Sequence, residues 1–563
     1  MKIFYWCFLL LPQLLKGQEK IFYNAHIFTA NYREPFAEAV AIKENKIVAV
    51  GSLAGIKKSV SANAELINLN GQYLLPGFVD SHIHAISGGR GLIKPNTMDK
   101  LLTIPELAVY ARDELKSKDG LTGDVLVIYG LNIATWASLE EIIHTFNEGD
   151  FATQAVVLRG SDGHTAWVNN VMLKKAGIDK NFIQSLSGDQ KNYFGVTASG
   201  ESNGFVSESG YRKISTLLVG AVDMHRAAEK TMEYTNGYGI TAWLDPSAGS
   251  SSSLSGETLD AYAWLISQHK LTAHVAATIV ADADKDAKPQ IEMVKALQKK
   301  YNRRNFSILG FKIFADGVIE HPTHTAALSL PYTGTSSRGV LMFDPEKFAR
   351  FVIEADKQHM LVHVHAIGDR AVTKTLDGIE AARKANGNDR LPHTITHMQV
   401  VLPEDFARFK QLHVLSALQL LWAFGDITTI DIVKPYIAPE LYQWQYPARS
   451  LLESGAIICG ASDWPVSSAN PFEAIYYAET RKGPMGVLDA TQCMPRISML
   501  YAYTIEAAKA MMLENQIGSL EPGKSADMIL VDRDILTVDA ESFKKTKLLW
   551  TMFEGKLVYE AKK

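Results

Sequence analysis

Eight short apolar runs, most of them separated by helical patterns, constrain the fold of this chain more than any other feature. The runs are 73–84, 239–245, 273–280, 308–316, 360–367, 393–398, 413–419 and 456–463. Segments between them, such as 345–358 and 369–384, carry apolar residues at the spacing of a helix that packs on one side. Eight strand–helix units in one domain predict an α/β fold, a closed parallel (β/α)8 TIM-like barrel.

Two regions depart from this pattern. Residues 85–235, which contain strand-like runs at 125–129 and 155–158, are interpreted as an insertion over the barrel mouth. Residues 18–75 and 506–563 instead show short β-like runs, joined by turn signals such as Asn70-Gly71 and Glu554-Gly555. We expect the two chain ends to pair into a small β-sandwich domain, which leaves residues 76–505 for the barrel and its insertion.

The N-terminus differs in kind from the rest. Lys2 is followed by an apolar run at 3–12, and Gly17 precedes the polar Gln18. A positive start, a short apolar core and a small residue before a polar one predict a signal peptide at 1–17, and therefore export to the periplasm or the exterior. The run is too short for a stable membrane span. A buried first strand or helix is the alternative.

Composition narrows the class of protein without naming its chemistry. The 563 residues are 47% hydrophobic and 21% charged, with a formal net charge of −4. These values are typical of a soluble globular enzyme and give no indication of nucleic-acid binding. With 3 cysteines, one of them in the predicted signal, no disulfide framework is expected. The expected partner is a small-molecule substrate, and a homodimer is left open.

Metal-binding residue types occur where the predicted strands end. The first run ends in His82 and His84, which period-two alternation places on one face. Later runs end in His365, His397 and Asp463. The C-terminal rim of a barrel is where such groups converge. Four imidazoles and a carboxylate suit zinc, with manganese, iron, cobalt or nickel as alternatives, whereas His82 and His84 alone also fit a structural pair.

Lys312 is the unusual member of the set, since an ammonium group would repel a cation. It lies between apolar residues in the fourth run. An apolar setting lowers the pKa of a lysine, and the neutral amine could capture carbon dioxide as an anionic carbamate that bridges two metals. The alternative is a buried amine paired with Asp316 or another carboxylate.

Several ordered segments resemble the amidohydrolase superfamily, and more narrowly its family-3 branch, which includes N-substituted formamide deformylases. They are 76–84, 311–317, 363–370, 393–399 and 460–466, together with Asp162-Gly163-His164, Val168-Asn169 and 517–527. The resemblance extends over about residues 20–560.

The resemblance implies a role for each ligand, with zinc as the expected ion at two metal positions. His82, His84 and Asp463 would hold the more buried ion. His365 and His397 would hold the second, and carboxylated Lys312 would bridge both. Water would become a nucleophile near neutral pH, and Asp463 would take its proton. Many relatives have a glutamate where this chain has Thr396, which alters the expected support of His397.

Other side chains have both a functional and a structural interpretation. His164, in a glycine-flanked turn of the insertion, could donate to the transition state or only stabilise the turn. Glu208 could bind substrate or cap local structure. Trp136 and Trp464 could wall the substrate pocket, although aromatic residues near such sites often pack instead.

These observations predict an exported, metal-dependent hydrolase of a non-peptide carbon–nitrogen bond in an amide, a formamide or a cyclic amide. A one-metal deaminase would use the same histidines and Asp463, but would need a catalytic glutamate near strand five. An esterase or lactonase differs only in the leaving atom. A non-catalytic binding protein on the same barrel is the alternative from another class.

Overall fold

The computed structural model describes residues 19–97, 100–118, 120–218, 223–387 and 390–562. Its centre is a ring of eight parallel strands, paired in sequential order. Barrel strands one to eight are Phe78–Asp80, Ile240–Ser250, His274–Val280, Phe306–Phe314, Leu361–Ala366, Thr394–His397, Leu415–Leu418 and Ile457–Gly460. Strand one meets strand eight where the Ser81 N–H donates to the Gly460 carbonyl at 2.9 Å. The predicted barrel is confirmed.

A helix separates each strand from the next and another follows strand eight. In chain order they are Met224–Gly237, Glu257–Ser267, Ala287–Tyr301, Pro345–Lys357, Asp369–Asn386, Pro403–Gln411, Ala448–Glu453 and Pro471–Thr480. Pro345–Lys357 shows how local sequence defines them. The Asp344 carboxylate accepts the N–H of Lys347 at its start, proline occupies the first turn, and Phe348 and Phe351 are buried on one face.

The first predicted run, 73–84, contains two strands instead of one. Tyr73–Pro76 belongs to the terminal sheet, and Phe78–Asp80 belongs to the barrel. Gly77 joins them at a point where an added Cβ would lie 2.2 Å from the Thr241 hydroxyl oxygen. The chain can therefore pass against strand two only with a glycine at this position.

Both chain ends build one sheet. Strands Lys556–Glu560, Leu548–Phe553, Met528–Val531, Tyr73–Pro76, Glu19–Phe28, Phe36–Lys43 and Lys46–Gly51 follow in that order, and Glu65–Asn68 pairs with Glu19–Phe28. Helices Leu53–Ser59 and Ala540–Lys544 lie in the same segments, and Arg496–Tyr501 and Ala507–Ala510 connect this sheet to the barrel. A β domain formed from both ends is thus present beside the barrel.

The segment after strand one has a sheet of its own. Its strands are ordered Phe194–Val196, Ser202–Ser207, Thr165–Val168, Ala155–Gly160, Val125–Leu131 and Leu121–Thr122. Helices Ala85–Gly91, Ile104–Ser117, Leu139–Phe146, Asn170–Ala176, Lys180–Ser185 and Arg212–Ser215 accompany it. Both strand-like runs noted in the sequence are present here.

The predicted signal peptide at 1–17 lies outside the described residues. In the part of the chain that is described, no helix combines the length and apolar character needed to cross a bilayer.

A buried ion pair joins the bottom of the barrel to the terminal sheet. His274 at the start of strand three donates from Nε2 to Asp527 at 2.9 Å, and its Nδ1 lies 3.1 Å from the Asn305 amide oxygen. Burial opposes protonation of His274, but the Asp527 and Glu554 carboxylates with Asn305 outweigh it and raise its pKa. Because both ring nitrogens face acceptors, the imidazolium form fits this site.

Replacing Asp527 with asparagine should lower the free energy of unfolding by about 1.5–3 kcal/mol, the value of a hydrogen bond to a charged group. Because the pKa of His274 is higher in the folded than in the unfolded protein, its protonation stabilises the fold. This stabilisation is complete below the unfolded pKa of about 6.5 and is lost as the pH rises through the pKa of the folded state. The difference in melting temperature between wild type and Asp527→Asn should thus be larger at about pH 6 than at about pH 9. A difference that does not change with pH would contradict the assignment.

Candidate metal centre

Three side chains converge at the C-terminal end of the barrel. Asp463 Oδ1 lies 3.3 Å from His82 Nε2 and 3.3 Å from His84 Nε2. All three ligand atoms lie within 4.8 Å of one another. Within the described chain, His82 Nε2 and Asp463 Oδ1 have no hydrogen-bond partner although both are buried. Since buried polar atoms are normally paired, this donor set fits a divalent cation.

The backbone around these ligands is held in an uncommon conformation. Asp463 has a φ of 55° and His397 has a φ of 75°, in the left-handed region that non-glycine residues rarely adopt. The buried Asp80 carboxylate accepts the N–H groups of His82 and Ser462, at 3.0 and 3.1 Å. It thereby ties the end of strand one to the segment that presents Asp463. Such strain persists where neighbouring structure fixes a functional residue.

The imidazoles are oriented by partners on other strands. His82 Nδ1 shares a 2.7 Å hydrogen bond with His363 Nε2. His365 Nε2 donates to the Gly317 carbonyl at 3.0 Å, and His397 Nδ1 donates to the Gln419 amide oxygen at 3.0 Å. These bonds leave the Nδ1 lone pair of His365 and the Nε2 lone pair of His397 for a ligand.

Gln419 explains how His397 is supported although Thr396 stands where many relatives have a glutamate. Its amide nitrogen donates to the Thr396 hydroxyl at 3.2 Å while its oxygen accepts from His397. Support for His397 therefore comes from the end of strand seven, with Thr396 fixing the amide that provides it.

Lys312 lies inside the same cluster and is 1% exposed. Burial lowers its pKa to about 7, against the opposing attraction of Asp463. Asp316, the alternative partner considered from sequence, instead accepts the N–H groups of Ile367, Gly368 and Ala327 at 2.8–2.9 Å. The structure therefore does not pair Lys312 with Asp316.

The four buried imidazoles of the cluster are neutral. Burial, with the nearby Lys312 charge among the further causes, lowers the pKa of His82, His363, His365 and His397 well below the ordinary histidine value. Neutral imidazole is the form that binds a metal ion. Burial acts in the opposite direction on Asp463, but the nearby His84, His397 and Lys312 outweigh it and lower its pKa. Asp463 therefore stays a carboxylate.

The insertion contributes a second polar pair beside this cluster. His164 Nδ1 donates to Glu208 at 2.9 Å, and the other Glu208 oxygen accepts the Thr325 hydroxyl at 3.0 Å. The His164 ring lies 5.2 Å from that of His365 between centroids. Burial disfavours the charged ring, but Glu208 and Asp162 raise its pKa to about 9. Glu208 thus orients His164 and is not among the residues that line the cavity at the metal centre, so the expectation that it binds substrate has no geometric support.

The two candidate tryptophans are packed in cores. Trp464 is 1% exposed and stacks on Tyr234 at 4.4 Å between ring centroids. Trp136 donates to the Thr165 hydroxyl at 2.8 Å and packs edge-on against Phe205. Neither is among the residues that line the cavity at the metal centre. The expectation that they wall the pocket has no geometric support, because both rings are enclosed by protein.

A cavity of about 140 Å³ opens beside the cluster. His365, His397 and Asp463 lie at one side of it, and His164 lines it as well. The rest of its lining combines apolar side chains with carboxyl and amide groups: Asn132, Ile133, Ser161, Asp162, Val318, Glu320, Ile367, Gln399, Leu421, Trp422, Phe424, Asp426, Thr428, Tyr446, Val466 and Ser467. It can therefore hold a small molecule against the ligand set.

Sequence reasoning underestimated or missed three residues here. His363 was not among the predicted site residues, although its spacing of two from His365 already placed both on one face. Gln419 follows a strand as a lone polar residue, a weak signal that the same end-of-strand rule could have detected. Glu320 lies in a loop, and no local pattern indicates that it reaches the cavity.

Comparison with known proteins agrees with this geometry. The sequence profile of the amidohydrolase family matches residues 65–559. Protein LONG AFTER FAR-RED 3 of Arabidopsis thaliana is 28% identical, over 95% of this chain and 91% of that protein. The N-substituted formamide deformylase of Arthrobacter pascens is 22% identical, over 95% and 97%. The crystal structure of an uncharacterized metal-dependent hydrolase from Pyrococcus horikoshii OT3 has a TM-score of 0.70 at 23% identity, over 93% and 99%.

The profile match covers most of the chain and includes every barrel strand. The fold of the Pyrococcus hydrolase extends over nearly the same length. The resemblance inferred from the sequence is confirmed, and the chain belongs to the amidohydrolase family.

Proposed function

We propose that this protein is a metal-dependent hydrolase that cleaves a non-peptide carbon–nitrogen bond in an amide, an N-substituted formamide or a cyclic amide. The observation that carries the proposal is the convergence of His82 Nε2, His84 Nε2 and Asp463 Oδ1, beside a cavity that Asp463 also lines. Family membership and the likeness to a formamide deformylase support a carbon–nitrogen substrate.

The ligand set favours two zinc ions per chain. His82, His84 and Asp463 would hold one ion, and His365 with His397 would hold the other. Lys312 would join them after its neutral Nζ attacks carbon dioxide, with a new N–C bond and loss of one proton to solvent. Bound there, the metals would acidify a water molecule and polarise the scissile carbonyl.

The protein side chains would then manage protons and charge. The Asp463 carboxylate would accept a proton from the attacking water and deliver it to the leaving nitrogen. His164 would donate to the oxygen that gains negative charge, with its ring fixed by Glu208.

The test of the proposal is metal content and turnover in one preparation. Protein purified without chelator or added metal should contain about two metal ions per chain by elemental mass spectrometry. It should hydrolyse simple N-aryl formamides, lose that activity on removal of the metals, and regain it with zinc. One ion per chain with release of ammonia from a heterocycle would favour the deaminase instead. Failure to bind metal on reconstitution would favour the binding protein.

Substrate pairs distinguish the esterase alternative. An amide and an ester with the same acyl group, and with the same substituent on the leaving nitrogen or oxygen, present nearly the same shape to the cavity. A preference for the amide after correction for intrinsic reactivity supports the carbon–nitrogen assignment.

We also propose that the protein is exported, on the basis of the residue pattern at 1–17. Detection of the chain only inside cells that express it would contradict export.

A further inference from the structure

The lining of the cavity beside the metal centre is acidic. Asp162, Glu320 and Asp426 line it together with the ligand Asp463, and no lysine or arginine is among its described lining residues. His164 is the one lining histidine, among those described, that is not a proposed ligand, and its Nδ1–H is committed to Glu208 at 2.9 Å. A bound molecule therefore meets several carboxyl groups, and the basic side chain among the described lining residues that is not a proposed ligand is already paired with Glu208.

Two of these carboxylates, Asp162 and Asp426, accept hydrogen bonds that stabilise local structure. Asp162 accepts the N–H groups of His164 and Thr165, at 3.1 and 3.0 Å, and fixes the turn that carries His164. Asp426 accepts the N–H and the hydroxyl of Thr429, at 2.9 and 3.1 Å, at the start of the Ile427–Asp431 helical turn. Neither group is free to follow a ligand.

Glu320 is different. The Glu320 carboxylate contacts the Gln399 side chain and interacts electrostatically with Asp162 and His164. Among the described residues no lysine or arginine forms an ion pair with it. Burial, followed by the repulsion from Asp162, raises its pKa to about 7. The positive group that acts on Glu320, His164, is already hydrogen-bonded to Glu208, so an ammonium group supplied by a ligand would favour the charged form of the Glu320 carboxyl group.

The neighbouring surface defines the shape of that ligand. Leu421, Trp422 and Phe424 contribute apolar area to the lining of the same cavity. The Trp422 ring stacks on that of His397, with centroids 5.8 Å apart. An aromatic or alkyl body can lie against this surface while its reacting carbonyl is at the ligand set and its other end is at Glu320.

We propose that Glu320 is a specificity residue that selects substrates with a cationic amine remote from the scissile bond, and that the cavity disfavours substrates with a carboxylate there. The proposal rests on the hydrolase function above. Glu320 would pair with the ammonium group, which would then serve as its counter-ion. A carboxylate in the same place would be repelled by Glu320 and Asp426, since like charges brought together in a desolvated site are strongly unfavourable.

The experiment uses three formanilides whose para substituent is aminomethyl, methyl or carboxylate. The holoenzyme should give a kcat/KM for the aminomethyl compound about tenfold or more above that for the methyl compound, with the carboxylate lowest. In Glu320→Gln the ratio of aminomethyl to methyl should fall to near one. Glu320→Asp, which keeps a shorter carboxylate, should retain part of the ratio and provides the test if the glutamine variant does not fold.

Binding is measured separately from turnover. The matching arylacetones, in which a methylene group replaces the amide nitrogen and a methyl group replaces the formyl hydrogen, are ketones that cannot be hydrolysed, and calorimetry gives their affinity for the holoenzyme. The matched control is Glu346→Gln, which removes a carboxylate that is 86% exposed on the outer helix Pro345–Lys357 and should preserve the wild-type ratio.

The outcomes separate the two proposals. If no formanilide is hydrolysed but the aminomethyl ketone binds best, and does so through Glu320, the specificity assignment stands and the hydrolase proposal fails. If all three formanilides react with equal kcat/KM and the ketones bind equally, the hydrolase proposal stands and the role of Glu320 is refuted.

Discussion

Asp463→Asn is expected to lower kcat by about 10²- to 10⁴-fold, the usual contribution of a positioned proton carrier. Asparagine keeps the size of the side chain and one oxygen, but the amide cannot take a proton from water and return it to a leaving nitrogen. Its oxygen is also a weaker ligand than a carboxylate. We therefore expect reduced metal content at the His82–His84 side together with the loss of turnover.

Folding should survive this change. Asp463 has a φ of 55°, and asparagine tolerates the left-handed region better than most residues. The backbone bond from Asp463 N–H to the His82 carbonyl, at 2.8 Å, does not involve the side chain. The melting temperature should consequently remain close to that of the wild type once metal content is matched.

The measurement is steady-state kcat on one formamide, with metal content and melting temperature from the same preparation. Asp431→Asn is a matched control, because that aspartate is exposed at the end of the Ile427–Asp431 helical turn, on the same side of the barrel. Turnover of Asp463→Asn within a few-fold of wild type, at equal metal content, would remove Asp463 from the role of proton carrier.

The barrel was predictable because its signals are local. Each strand is an apolar run of limited length, and most of the helices between them show one apolar face, so strand positions could be read from neighbouring residues alone. Tyr73–Pro76 and Phe78–Asp80 merged into one run in the sequence because both are apolar. Only the packing of Gly77 against Thr241 separates them.

The candidate ligands were predictable for a related reason. His82, His365, His397 and Asp463 stand at or just after the C-terminal ends of strands, and parallel strands bring those ends together. The groups that orient them were harder to predict. The Gln419 amide and the Gly317 carbonyl act on histidines of other strands, and such pairings depend on three-dimensional packing that no spacing in the chain records.

The cavity lining was the least predictable part. Glu320 and Trp422 come from loops after different strands, while Trp464 is next to a proposed ligand and nevertheless faces the core. Closeness in sequence to Asp463 is therefore a poor guide to substrate contact. The loop conformation decides which side chains reach the cavity.

Lys312→Ala is the other change with a large expected effect. If carboxylated Lys312 bridges two metals, alanine removes an anionic ligand from both. We expect loss of at least one of about two ions per chain and a fall in kcat of about 10² or more. The space left at a position that is 1% exposed should admit a short carboxylate, so acetate or propionate should restore part of the activity and of the metal content.

Lys312→Arg and a labelling experiment complete the test. Arginine cannot form the carbamate and keeps its positive charge, so this variant should bind less metal than Lys312→Ala and should not respond to carboxylates. Protein reconstituted in ¹³C-bicarbonate should show a carbamate carbonyl resonance in the wild type and lack it in both variants.

Because Lys312 is surrounded by neutral imidazoles beside Asp463, an unmodified amine there would leave the site with one anionic ligand instead of two. Full metal content and full turnover in Lys312→Ala would show that the two ions need no bridge from this residue, and the carbamate would then have to be abandoned.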